Sequence, residues 1–432
     1  MNKSLLKKAA IQSVALMIAV ITLSYAMRSY QAVTIEASNM TKTNAAAAND
    51  VSDRGGDIIT LDQSQPNQTI TVPENSLNQE SLDTPITDLQ DLKSRIDPTV
   101  LNKLSNNFLM IKKPKGENIT LQLEDQYINQ SIQLDFTGME DSNITSDMIL
   151  RVKGSDMFTG DPAFTEMKSM EVDKEKGTSQ EVITKDFGDD LSHGITITTQ
   201  AEAKSNLYSS QVQITLDSVY AYMIYEDNNY FYIDLRKPSE VYDKIIVIDA
   251  GHGGKDVGAI SKGDKYYEKN INLDIVLQLK KLLDQENIKV YYTRTSDTTV
   301  YLRPRASLAN AVDCDYFISI HCNSNKVTSP NGTEVLYYDT DFKGVKAFDL
   351  ANLFSNEIAK TTTLKQRGII RKGNDDIYIL DKSKIPTILI EAGYLSNNND
   401  MDYLSNSEYR MAIAQGIFNA IIEAYNELPV AK

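Results

Sequence analysis

The chain has 432 residues, 41% hydrophobic and 24% charged, enough for two folded domains and a linker. Its formal net charge of −15 argues against nucleic acid as a partner, since a phosphate backbone calls for basic clusters that the folded parts lack. The acidity sits in front: residues 31–240 hold 17 Lys plus Arg against 34 Asp plus Glu, and residues 241–432 hold 23 against 25.

At the amino terminus Lys3, Lys7 and Lys8 precede an uncharged stretch from Ala9 to Ala26, and no acidic residue occurs before Glu36. A basic flank followed by an uncharged segment near the minimum spanning length reads as a signal peptide or membrane anchor over residues 1–30. Ser24-Tyr25-Ala26 offers a small-residue cleavage site, so release competes with anchoring. Either way an extracytoplasmic protein is expected, membrane-anchored or secreted. Residues 31–90 lose hydrophobic periodicity and are dominated by Asn, Thr, Ser, Gln and Asp, which predicts a disordered tether.

Residues 95–240 form a different unit. Short alternating runs occur at 119–123, 131–136, 148–152, 194–199, 211–225 and 230–235, separated by polar turns. This pattern predicts a β-sandwich. His193 falls in a polar stretch and reads as a surface-loop residue.

From residue 241 the pattern changes to α/β. Residues 244–249 read as a near-continuous apolar strand, of the kind found in a sheet covered on both faces. Ile271, Ile275, Leu279, Leu282 and Leu283 recur at helical spacing. Runs at 290–293, 316–320, 333–338 and 387–390 predict further strands, and 345–360 and 408–427 predict helices. The catalytic candidate region, 241–432, is therefore expected to be a largely parallel or mixed sheet flanked by helices.

Three polar spots follow directly on apolar runs in this region: His252 within Gly251-His252-Gly253-Gly254, His321 after Ser319-Ile320, and Glu391 after Ile390. Carboxyl ends of strands are where an open α/β sheet gathers its ligands. Glu268 opens the helix after the first strand and faces the loop that holds His252. A catalytic zinc takes three nitrogen or oxygen ligands and keeps a fourth position open. We therefore read His252, Glu268 and His321 as ligands of Zn2+, and Glu391 as the free carboxylate that moves a proton. Plainer readings compete: a glycine turn capped by His252, a carbonyl-bonded His321, and a Glu268 favoured by the helix dipole. Glu391 is harder to explain that way, because a lone carboxylate continuing a buried strand is costly. Cys314 and Cys322 stand eight residues apart along one strand, roughly 25 Å at about 3.3 Å per residue, so both are expected as free thiols.

The run Ile246 to Ala259, Glu268-Lys269, Thr293-Arg294 with Asp297, Leu302 and Arg305, then Ser319 to Asn323 and Glu391 to Asn397, resembles the zinc-dependent N-acetylmuramoyl-L-alanine amidases of the type 3 catalytic domain. The resemblance covers about 244–425. It implies hydrolysis of the amide between N-acetylmuramic acid and L-alanine, with peptidoglycan as partner, His252, Glu268 and His321 as metal ligands and Glu391 as catalytic residue. Asn323 would contact substrate. Ala250 stands where a proline is common, and Asp381 where many relatives carry a basic residue. The region 95–240, placed ahead of such a domain, looks like the β-rich wall-targeting domains of AMIN type, with a spacer as the equal alternative. Some relatives insert an extra helix that blocks the metal. Residues 324–386 are accounted for by strands, one helix and a basic loop at 367–372, so no obligatory activator is expected. Arg367, Arg371 and Lys372 in that loop could meet stem-peptide carboxylates, with a solvated surface loop as the plainer reading. Two other functions stay open at this point: a zinc peptidase with the same ligands, and a non-catalytic wall-binding scaffold.

Overall fold

The computed structural model describes residues 67–71, 86 and 88–428, apart from 117–118, 141–143, 145–147, 155, 159–165, 174–177, 186–193, 203–205 and 264. All of these belong to one compact unit, Gly55–Lys432. The leader expected over 1–30, most of the expected tether, and His193 lie outside the described residues. The membrane as a partner is a correction: no helix among the described residues is long and apolar enough to cross a bilayer.

The front half contains β1 (Asn67–Thr71), α1 (Leu89–Arg95), α2 (Pro98–Leu101), β2 (Asn107–Lys112), β3 (Thr120–Gln126), β4 (Ser131–Met139), β5 (Ile149–Lys153), β6 (Asp156–Phe158), β7 (Glu166–Asp173), β8 (Thr178–Lys185), β9 (Gly194–Ala201), β10 (Tyr208–Thr215), β11 (Ala221–Glu226) and β12 (Tyr230–Arg236). One sheet runs β1-β3-β4-β10-β9-β8-β7 and the other β11-β12-β2-β5-β6. Leu121, Leu134, Phe136 and Val212 of the first sheet share a core with Leu109, Ile111, Phe231 and Ile233 of the second, which makes the expected sandwich. The far face of the second sheet is covered by α1 and α2, through Leu92, Ile96 and Val100 on Phe108, Met110 and Tyr232. A strand buried on both faces needs no polar alternation, which is why Tyr230 to Leu235 reads as almost continuously apolar. The run expected over 211–225 is two strands broken at Leu216–Tyr220. Inside the expected tether, Asn67–Thr71 pairs antiparallel with β3 as an edge strand.

The back half contains β13 (Ile245–Ala250), α3 (Glu268–Leu283), β14 (Lys289–Tyr292), α4 (Leu302–Val312), β15 (Tyr316–Asn323), β16 (Thr333–Tyr337), β17 (Asp341–Phe342), β18 (Val345–Lys346), α5 (Ala347–Thr361), β19 (Gln366–Arg371), α6 (Tyr378–Lys382), β20 (Thr387–Tyr394), α7 (Asn398–Leu404) and α8 (Ser407–Glu427). The sheet order is β14-β13-β15-β20-β16-β19. The first four strands are mutually parallel, and β16 joins antiparallel to β20, with β19 parallel to β16. The sheet is thus mixed. One face packs Ile248, Ile320 and Ile390 against Ile275 of α3, Phe354 of α5 and Ile417 of α8. The other packs Val247, Phe317 and Leu389 against Leu308 of α4 and Leu380 of α6. Because side chains alternate along a strand, Asp249, Ser319, His321 and Glu391 all fall on this second face, at the strand ends. Residues 366–371, expected within a basic loop, form the edge strand β19; Ile369 and Ile370 supply its β-branched centre, and its flanking charges suit a sheet edge. Both cysteines are free and buried, as expected, with Cys322 on the face away from His321.

The sandwich docks on the open edge of this sheet. In the turn between β3 and β4, the Tyr127 hydroxyl donates to the Tyr292 carbonyl at 2.8 Å and accepts from the Tyr292 N–H at 3.1 Å. Its ring meets Tyr291 edge-on at 5.0 Å. One phenol thus satisfies backbone groups that edge strand β14 would otherwise leave unpaired. Tyr127→Phe is expected to cost about 1 kcal/mol or slightly more, visible as a lower thermal midpoint. An unchanged midpoint would show that solvent replaces the hydroxyl at no cost.

Candidate metal centre

β13 ends at Ala250 and the chain turns through Gly251 into His252, whose φ of 62° lies in the left-handed region. Two buried arginines hold that turn. Arg305 of α4 pairs with Asp249 and donates to the carbonyls of Ala250 and His252, both at 2.7 Å. Arg294 donates to the carbonyls of Ala250 at 2.9 Å and Gly251 at 2.8 Å. Asp249 also accepts from Thr293 and Ser319, each at 2.6 Å. Burial opposes its ionisation, but Arg305, the His321 imidazole and these hydroxyls hold the carboxyl below its ordinary range. Gly251 is required sterically: a Cβ there would lie 2.3 Å from the His321 ring.

The turn brings His252 over the start of α3. Glu268 Oε2 stands 3.1 Å from His252 Nε2, and Oε1 stands 2.9 Å from His321 Nδ1. One ligand atom from each of the three residues lies within 4.8 Å of the others. Glu268 is buried and also accepts the Ala259 N–H at 2.8 Å and the Cys322 N–H at 3.1 Å. Burial alone would raise its carboxyl, yet the two imidazoles bring it well below the usual range. His252 and His321 keep 24% and 18% of their side chains exposed, so the centre opens on one side to solvent. Two imidazoles, one carboxylate and an open side fit the donor set of a catalytic divalent site.

On its other nitrogen, Nδ1, His252 meets the Asp256 carboxylate at 2.8 Å. Such a partner fixes the tautomer that leaves Nε2 free to ligate. Asp256→Asn is expected to weaken metal affinity about 10- to 100-fold, measured by competition with a chromophoric chelator. Unaltered affinity would remove Asp256 from that role.

Glu391 lies beside His321 on β20, in direct register with it. Its Oε2 is sealed from solvent and, among the described residues, has no hydrogen-bond partner. Burial pushes the carboxyl up to about 7, with His321 pulling down and Glu268 and Glu334 pushing up. A carboxylate desolvated in this way is a stronger base than one in water.

The remaining sequence candidates divide. Asn323 donates to Glu334 at 2.8 Å and accepts from Ser324 N–H at 2.8 Å, so its amide is engaged within the protein. Arg367 donates from Nε to Glu334 at 2.7 Å and stays beside the site. Arg371 pairs with Asp339 on an exposed surface, away from the four central residues. Asp256, Arg294, Arg305 and Glu334 carry no role in the sequence pattern alone. Asp256, four residues after His252, and Glu334, a carboxylate inside an apolar run, were the available signals.

The fold and this centre define a metal-dependent hydrolase of α/β type. Residues 246–423 match the N-acetylmuramoyl-L-alanine amidase family. The chain is 34% identical to the uncharacterized protein YqiI of Bacillus subtilis, over 43% of its own length and 86% of YqiI. It is 34% identical to the N-acetylmuramoyl-L-alanine amidase CwlM of Bacillus licheniformis, over 42% of its own length and 68% of CwlM. Among solved structures, it is similar to the catalytic domain of the amidase CwlV from Bacillus (Paenibacillus) polymyxa var. colistinus, with 35% identity, 43% of this chain and 99% of that one covered, and a TM-score of 0.40. The chain belongs to the N-acetylmuramoyl-L-alanine amidase family.

Proposed function

We propose that the ion is zinc, held by His252, Glu268 and His321, and that Glu391 is the proton-transferring residue of a peptidoglycan amidase. The enzyme hydrolyses the amide between N-acetylmuramic acid and L-alanine, outside the cytoplasm and at the cell wall. The observation that carries this reading is the meeting of two imidazoles and one carboxylate beside a second carboxylate whose Oε2 has no partner among the described residues.

When bound, zinc supplies a Lewis acid that polarises a carbonyl and acidifies water. Glu391 takes the proton of the attacking water and delivers it to the departing L-alanine amine. Asp249, Arg305 and Arg294 hold the His252 turn, so the ligands need not reorganise during turnover. Exposure of both imidazoles supports a site that works without an activator. The sandwich, 95–240, is read as a wall-facing or spacer domain ahead of the catalytic domain, 241–432.

Mass spectrometry of purified peptidoglycan treated with the enzyme, with and without a chelator, tests the reading. New L-alanine amino termini without new reducing ends, abolished by the chelator, are expected. Cleavage inside stem peptides would favour a zinc peptidase, and no soluble product at all would favour a wall-binding scaffold.

A further inference from the structure

The second sheet face carries its polar residues as a row. In strand order these are His321 on β15, Glu391 on β20, Glu334 on β16 and Arg367 on β19. His321 is opposite Glu391, and Glu391 is opposite Glu334. Adjacent strands stand about 4.8 Å apart, so the backbones of Arg367 and Glu391 are two spacings, roughly 10 Å, apart.

Glu334 is buried, and both of its oxygens are taken. Oε1 accepts from Asn323 at 2.8 Å and from the Tyr394 hydroxyl at 3.2 Å; Oε2 accepts from Arg367 Nε at 2.7 Å. The guanidinium also lies over the Tyr394 ring, 5.4 Å from its centroid. Arg367 is therefore fixed through Nε and one face, while a third of its side chain is open to solvent. Among the described residues no acceptor meets its two terminal nitrogens. A guanidinium held this way has already lost the side-chain entropy that binding would cost, and its free edge matches the two oxygens of a carboxylate.

We propose that Arg367 is a specificity residue that receives a free carboxylate of the substrate peptide, with Glu334 and Tyr394 as its positioning residues. This rests on the amidase reading above. An extended peptide advances at most about 3.3–3.6 Å per residue, so if the scissile amide is held at Glu391, a carboxylate at Arg367 two strands away belongs to the second or third residue after it. Arg371 does not share the task, since Asp339 holds it elsewhere.

The test uses the full chain and a matched pair of synthetic muramoyl tripeptides, whose second- and third-residue carboxyl groups are either free or amidated. Wild type is expected to favour the free acid in kcat/KM by about tenfold or more, mostly through KM, as a charge-assisted bidentate pair supplies. In Arg367→Gln the preference should collapse to within about twofold. Arg367→Lys should keep part of it, because an ammonium retains the charge without the fork. Zinc content and thermal melting check folding, and if the Gln variant does not fold, the Lys variant carries the comparison. Equal wild-type rates on both substrates, or a preference that survives both substitutions, would overturn the proposal alone. A wild-type enzyme that releases peptide from neither substrate overturns the amidase reading, and this inference with it.

Discussion

Glu391→Gln is expected to lower kcat on muramoyl peptides about 10²- to 10⁴-fold, the range supplied by a positioned general base, with little change in KM and full zinc content. The substitution keeps the shape of the side chain and removes only its ability to accept and return a proton. Retained zinc would separate this loss from damage to the candidate metal centre, whose His321 is the strand neighbour of Glu391. The pH dependence has a defined sign. Burial raises the Glu391 carboxyl, and only its ionised form accepts a proton, so the rate should fall on the acid side as Glu391 becomes protonated. In the Gln variant that acid limb should lose its Glu391 component. A variant with near wild-type kcat would remove Glu391 from the mechanism.

Glu268→Gln should have the second large effect, read through the metal. The carboxylate sits between both imidazoles, at 3.1 Å from one and 2.9 Å from the other, and is buried among backbone donors. An amide there still fills the space but brings no charge to balance the ion. In wild type, zinc at about 100 times its Kd should stabilise the fold by about 2.7 kcal/mol, raising the thermal midpoint by roughly 5–10 °C relative to chelated protein. The Gln variant should show almost no zinc-dependent shift, and activity should vanish in parallel. A variant that binds zinc as tightly as wild type would contradict the ligand assignment.

Where sequence and structure agree, the cause is local. β-branched runs lead into His252, His321 and Glu391, which marks each as a polar residue at a strand end from its immediate neighbours alone; that the last two share a face follows from the pairing of β15 with β20. Glu268 is visible as the first residue of an amphipathic helix. The sandwich is legible where strands alternate, as in β3 and β4. It is not legible in β7 and β8, whose segments EMKSMEVD and TSQEVITK offer few apolar residues to set a period. The edge strand β19 resembled a loop because its charged ends outweigh the two isoleucines at its centre.

The amino-acid order by itself thus singled out His252, Glu268, His321 and Glu391 and set the alternation of strands and helices, since each depends on neighbours a few residues away. Only the tertiary structure decided that Glu334 and Arg367 stand beside Glu391, that Arg305 and Arg294 grip the His252 turn, and that Tyr127 closes the edge of the catalytic sheet. These pairings join segments 33 to 165 residues apart. Strand register and buried hydrogen bonds select them once the sheet is assembled, and no short-range pattern encodes that choice.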